Sequence, residues 1–81
     1  MYFVYVLKSK NFRKTYVGIT DNIERRINQH NNGDSFYTKR FLPWVIVHKE
    51  EFNDRIDARK REKYLKSSAG RKYLRKTIFE N

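Results

Sequence analysis

Six consecutive apolar or aromatic residues, Tyr2 to Leu7, constrain this chain more than anything else in it. A strand alternates its side chains between two faces, so a run without a polar member has no face suited to water. It reads as a central strand covered on both sides. Lys8 to Lys14 is polar and basic and turns the chain. Thr15 to Ile19 then reads as a second strand, antiparallel to the first.

Helical signals follow. Asp21 is expected to cap a helix, with Glu24 three residues on in a capping-box arrangement. Ile23 and Ile27, four apart, are expected to face the core. Asn31-Asn32-Gly33 stops this helix, glycine being suited to the left-handed closing position. Residues 34–43 form a polar loop carrying Phe36, Tyr37 and Phe41 and ending at Pro43. Trp44 to His48 is a third strand. Asn53 or Asp54 caps a second helix running to about Lys66. Ser67 and Ser68 interrupt it, and a short basic helix covers about Ala69 to Thr77. The order β-β-α-β-α-α predicts an α+β fold, a three-stranded antiparallel sheet with flanking helices, in one domain spanning residues 1–81.

The net charge is +10, and about +8 of it falls in residues 55–76, where ten Lys/Arg stand against Asp57 and Glu62. A compact basic domain attracts polyanions, through binding that counterion release makes strong and salt-sensitive. Nucleic acid is the leading expected partner. A solubilising surface or an anionic membrane is the alternative. There is no cysteine and there are only two histidines, which excludes a disulfide framework, a Cys-ligated zinc and a His-rich metal site. The longest apolar run is too short to cross a bilayer, and no cleavage pattern follows it. The expected location is the cytoplasm.

Several side chains could carry chemistry. Arg26 and His30 are four apart and project from one helix face. Arg26 offers a planar, permanently charged fork suited to phosphate, and His30 a group that exchanges protons near neutral pH. A solvated face explains those two residues equally well when they are taken alone. Arg25, about a quarter-turn away, is expected to meet solvent or a nucleic-acid backbone. In the second helix Ala58, Glu62 and Leu65 share a narrow stripe expected to face the sheet. A carboxylate there is costly unless a cation, an arginine or a lysine compensates it. A salt bridge to Arg59, Arg61 or Lys66 is the simpler alternative. Tyr16 shares a sheet face with Gly18, and a strand glycine often marks the close approach of a ligand or another backbone. Nearby cations are expected to favour the phenolates of Tyr5 and Tyr16; ordinary core tyrosines are the alternative.

Together these positions resemble the GIY-YIG nuclease family, in particular its small stand-alone members of the YhbQ type. The first signature matches loosely as Phe3-Val4-Tyr5, with phenylalanine in place of glycine. The second matches well as Tyr16-Val17-Gly18. Asp21 to His30 looks like the family's first helix, with Arg26 and His30 at its catalytic positions. Ala58 to Lys66 resembles the helix carrying the metal-binding glutamate, which falls on Glu62. Tyr37-Thr38 and Gly70-Arg71 also look like features of the small members. The resemblance implies a divalent-metal endonuclease using Mg²⁺ or Mn²⁺ on Glu62, acting on DNA rather than RNA with low sequence specificity, as a monomer or weak homodimer. It implies Arg26 as the neutraliser of transition-state charge and Tyr5 or Tyr16 as general base helped by His30. Tyr5 is favoured as the base, with Tyr16 orienting phosphate or water. The implied substrate contacts are Gly18, Arg25, Tyr37, Lys39, Lys66 and Arg71. Two positions depart from the family. The asparagine many members supply beyond the glutamate helix has no counterpart in residues 63–80, and Ile19 stands where several members carry lysine. A basic nucleic-acid-binding module without turnover, accessory to repair or RNA metabolism, is the competing expectation. A purely structural basic protein would leave the stripe position of Glu62 unexplained.

Overall fold

The computed structural model describes residues 1–79. Three strands, β1 (Tyr2–Ser9), β2 (Thr15–Thr20) and β3 (Trp44–Phe52), form an antiparallel sheet in the order β2-β1-β3. The apolar run of β1 is central, as its composition demands. Val4 and Val6 face one layer, and Tyr5 and Leu7 face the other; all four are buried. In β3 one extra residue, Val47, sits between Ile46, which pairs with Leu7, and His48, which pairs with Val6. The strand is also longer than the five residues expected, because Lys49 to Phe52 continue the pairing along β1 as far as Tyr2.

Each face of the sheet has its own cover. Helix α1 (Ile23–Asn31) and a 3-10 turn (Thr38–Phe41) lie over Tyr5, Leu7 and Trp44, with Ile23 and Ile27 packed inward as their spacing predicts. Helices α2 (Arg55–Lys66) and α3 (Ser68–Leu74) cover the Val4 and Val6 face through Ala58, Leu65 and Leu74. Residues Arg75–Phe79 continue in π-helical geometry. Asn31 ties α1 to β3: its side-chain amide accepts from the backbone N–H of Trp44 at 2.8 Å and donates to the Trp44 carbonyl at 3.1 Å.

The expected cap of α1 needs correction. Asn22, not Asp21, is the N-cap, its side chain accepting from the Arg25 backbone N–H at 3.1 Å. Asp21 instead accepts from the Arg25 guanidinium at 3.0 Å on the exposed flank. Both residue types cap well, so adjacent Asp and Asn cannot be told apart by propensity. The stop is as read: Gly33 takes φ +82° and its N–H meets the His30 carbonyl. Asp54 caps α2, and Ser67 caps α3, which begins one residue before the expected Ala69. Asn81, for which no role was expected, lies outside the described residues.

Candidate active site

The site begins with a missing side chain. Tyr5 on β1 pairs directly with Gly18 on β2. A Cβ at Gly18 would stand 2.6 Å from Cζ of Tyr5 and 3.0 Å from Cε1 of Tyr16, and would strike the Tyr5 hydroxyl. Glycine therefore lets the Tyr5 ring lie flat across β2, the edge strand, and carry its hydroxyl to the sheet's margin.

Helix α1 supplies what meets that hydroxyl. Arg26 Nε donates to Tyr5 Oη at 3.4 Å, and His30 Nε2 lies 3.0 Å from the same oxygen. His30 Nδ1 is 2.8 Å from Thr38 Oγ1. His30 and Thr38 are fully buried, and Tyr5 is 1% exposed. Burial pushes the Tyr5 phenol up to about 12; the Arg26 hydrogen bond offsets only part of this, and the charges of Tyr16 and Glu62 add to the rise. Burial, reinforced by the Arg26 charge, pushes His30 down to about 4. At neutral pH both groups are uncharged. Since Arg26 can only donate, the phenol's own hydrogen points to Nε2, and Nδ1–H donates to Thr38. The expectation that nearby cations favour the phenolate is overturned at Tyr5, because the cost of burying its charge exceeds what Arg26 returns.

Arg26 is partly buried, which alone would lower its pKa. Hydrogen bonds to Tyr5 and Tyr16 outweigh that and hold it raised. Its Nη1 also donates to Gln29 Oε1 at 3.1 Å. The Tyr16 ring stands edge-on to His30 at 4.9 Å and 6.3 Å from Tyr5. Four of the expected residues, Tyr5, Tyr16, Arg26 and His30, thus form one contact cluster on the α1 face.

Glu62 arrives differently. It sits on α2, in the opposite layer, so it does not join the hydrogen-bonded chain. Its side chain is only 14% exposed, and Oε2 accepts from Lys66 Nζ at 3.3 Å, one of the salt bridges the sequence allowed. Its charge is the weakest of the causes that raise or lower the Tyr5 phenol, and no hydrogen bond joins the two side chains. Oε1 has no hydrogen-bond partner among the described residues. The described residues contain no cluster of three His, Cys, Asp or Glu able to cage a metal. One carboxylate with a free oxygen does suit a hydrated Mg²⁺, which commonly binds through one or two carboxylates plus substrate phosphate.

The expected substrate contacts divide. Tyr37, Lys66 and Arg71 line a cleft of about 300 Å³ that also exposes Tyr16. Gly18 lies beneath the phenols. Arg25 points outward, paired with Asp21, and the Lys39 ammonium lies over the Phe36 ring at 5.1 Å. Neither touches the cluster. Two participants were missed as site residues, Thr38 and Gln29. Thr38 orients His30 while its carbonyl accepts from Trp44 Nε1 at 2.7 Å. The sequence marked Thr38 only within the Tyr37-Thr38 feature of the small members, with no role attached; the signal for its role is general, that a buried histidine needs a partner on each ring nitrogen.

The family model for the GIY-YIG catalytic domain matches residues 1–74. The chain belongs to the GIY-YIG family. Among its relatives, a UPF0213 protein of Clostridium perfringens is 42% identical over 67 residues, covering 82% of this chain and 71% of the relative. A UPF0213 protein of Staphylococcus haemolyticus is 36% identical over 75 residues, covering 91% and 90%. The solution NMR structure of a UPF0213 protein from Bacillus halodurans superposes with a TM-score of 0.54 at 29% identity, covering 90% of this chain and 80% of the other. The α+β architecture read from the sequence is therefore shared with a solved relative.

Proposed function

We propose that this GIY-YIG domain is an endonuclease that hydrolyses nucleic-acid phosphodiesters, DNA in preference to RNA and with little sequence specificity. The observation that carries the reading is the Tyr5 hydroxyl, held between Arg26 and His30 beside the edge strand. A structural tyrosine does not need that company.

A phosphate entering beside Arg26 meets a fixed cation whose orientation is set by Tyr5 and Gln29. Such preorganised charge stabilises the extra negative charge of a phosphoryl transition state. The same phosphate acts on His30. Of the two causes that depress His30, one is the Arg26 charge; a phosphate that neutralises Arg26 removes it, and His30 becomes a better proton acceptor. A water next to Tyr5 Oη then gives its proton to Oη as the phenol's hydrogen passes to His30 Nε2. Tyr5 works as a relay and never has to exist as a free phenolate, which matters for a phenol held near 12. Thr38 holds the imidazole in the tautomer that accepts at Nε2. Glu62 would hold Mg²⁺ or Mn²⁺, which when bound supplies Lewis-acid stabilisation of a phosphoryl oxygen.

The test is nicking of supercoiled plasmid with Mg²⁺ or Mn²⁺ by wild type and Glu62→Gln, prepared identically. The variant should lose at least about 100-fold in rate, the lower range for a group acting on developing charge, while still binding DNA in EDTA. Equal nicking by both assigns the activity to a contaminant and rejects the proposal. Binding without nicking by wild type leaves a basic module without turnover.

A further inference from the structure

Beside the cluster lies a cleft that the hydrolysis itself does not use. The rings of Tyr16 and Tyr37 stand on one side of it, 6.2 Å apart and inclined by 29°. Val17 and Leu74, exposed by 9% and 4%, form an apolar floor. Lys66 and Arg71 stand at the rim. Arg71 has no side-chain ion pair or hydrogen bond among the described residues. At about 300 Å³ the cleft matches the small end of ligand-binding cavities.

We propose that this cleft is a nucleobase subsite, and that it takes the unpaired base of a nucleotide next to the scissile phosphate. The inference rests on the nuclease reading for where the phosphate lies, and deepens it by naming the substrate class: nucleic acid with at least one unpaired base at the cut. Three observations carry it. The walls combine flat aromatic surface with aliphatic side chains, the surroundings a base prefers once it leaves its stack. The rim is cationic, matching the phosphates on either side of that base. Tyr16 belongs to both sites, its ring 4.9 Å from that of His30 and 6.2 Å from that of Tyr37 between centroids, so the cleft adjoins the proposed reaction centre. A base within an intact duplex cannot enter without being unstacked and unpaired, which costs free energy that a single strand does not spend.

The experiment is a binding titration in EDTA, followed by fluorescence anisotropy. It compares a short labelled single strand, the same backbone made abasic throughout, and the corresponding duplex. Wild type should bind the base-bearing strand about tenfold more tightly than the abasic one, within the range found for one base stacked on an aromatic side chain. It should also bind the single strand more tightly than the duplex. Tyr37→Phe, which keeps the ring, should preserve the preference, and Tyr37→Ala should abolish it. Tyr37 is 39% exposed, so the truncation does not open the core. A readout needing no variant is 2-aminopurine in the single strand, whose fluorescence should be quenched on binding by stacking. Equal affinity for base-bearing and abasic strands, a preference that survives Tyr37→Ala, or duplex binding as tight as single-strand binding overturns the proposal. Because no metal is present, these outcomes are independent of nicking. A failed plasmid assay with base preference intact removes the nuclease and keeps the subsite.

Discussion

His30 near 4 and Tyr5 near 12 give the fold two pH limits of opposite sign. An unfolded histidine titrates near ~6.5. Below that value the unfolded chain takes up a proton that buried His30 refuses, so stability is full above it and falls as the pH drops towards 4. A shift of this size corresponds to a loss on the order of 3 kcal/mol. For Tyr5 the unfolded phenol ionises first, so stability falls as the pH rises from about 10 towards 12. Thermal unfolding against pH should show the acid limb in wild type, and His30→Gln should flatten it between pH 6.5 and 4. An unchanged acid limb in the variant would mean that other groups drive acid unfolding. At this scale the sequence spoke unevenly. Arg26 and His30 were legible because helical spacing puts them on one face. Gly18 was legible because a strand glycine needs a reason. Thr38 was not, because its meeting with His30 depends on how the loop after Gly33 folds back, which no local pattern specifies.

Helices α2 and α3 meet at a corner set by Ser67 and Gly70. Ser67 ends one helix and caps the next, its Oγ accepting from the Gly70 N–H at 3.2 Å. Gly70 is buried, and a Cβ there would run into the Leu65 backbone, 2.7 Å from its carbonyl carbon, and into the Tyr64 carbonyl oxygen. Backbone cannot yield as a flexible side chain can. Gly70→Ala should therefore cost about 1–3 kcal/mol, the range for overpacking, despite alanine's better helix propensity. Urea denaturation checks it, and a neutral or stabilising result would mean that the two helices can separate without penalty. A second device fixes the rotation of α2. Arg61 makes two hydrogen bonds to Glu50, at 2.8 and 3.1 Å, with the Tyr64 and Tyr73 rings within 5.2 Å of its guanidinium. Glu50 also bonds His48 at 2.7 Å, and these partners hold its carboxyl below the usual carboxylate range against the opposing effect of burial. With Arg61 held on β3, its neighbour Glu62 is turned towards the other flank. The existence and order of all these elements could be read from apolar spacing and caps. The choice of Asn22 over Asp21, and of Glu50 as the partner of Arg61, could not, since each depends on competition among several similar groups.

Over the whole molecule, the uninterrupted apolar run of β1 implied cover on both sheet faces, and the structure supplies it from α1 on one side and α2 with α3 on the other. The same layering explains why the site lies at an edge. Residues from opposite layers can act together only where the sheet ends, and β2, which carries Tyr16 and pairs with Tyr5 through Gly18, is such an edge. Charge follows the layers too. Arg55, Arg59, Lys60 and Lys63 line one shallow groove along α2, and none has a side-chain partner among the described residues. Arg55, Arg59 and Lys63 are spaced four apart, which sets their Cα atoms about 6 Å from one to the next along the helix axis. A bound strand leaving the site along α2 would pass these cations in turn. Each phosphate neutralised on a single strand contributes about −0.7 to the slope of log K against log salt. Replacing Arg59 and Lys63 by glutamine should therefore make the slope shallower by about 1.4 on this basis, with weaker binding at low salt and the preference for base-bearing strands unchanged. Anisotropy titrations across a range of NaCl concentrations measure both quantities. An unaltered slope would remove α2 from the strand's path and leave the rim cations Lys66 and Arg71 as the nearest phosphate contacts.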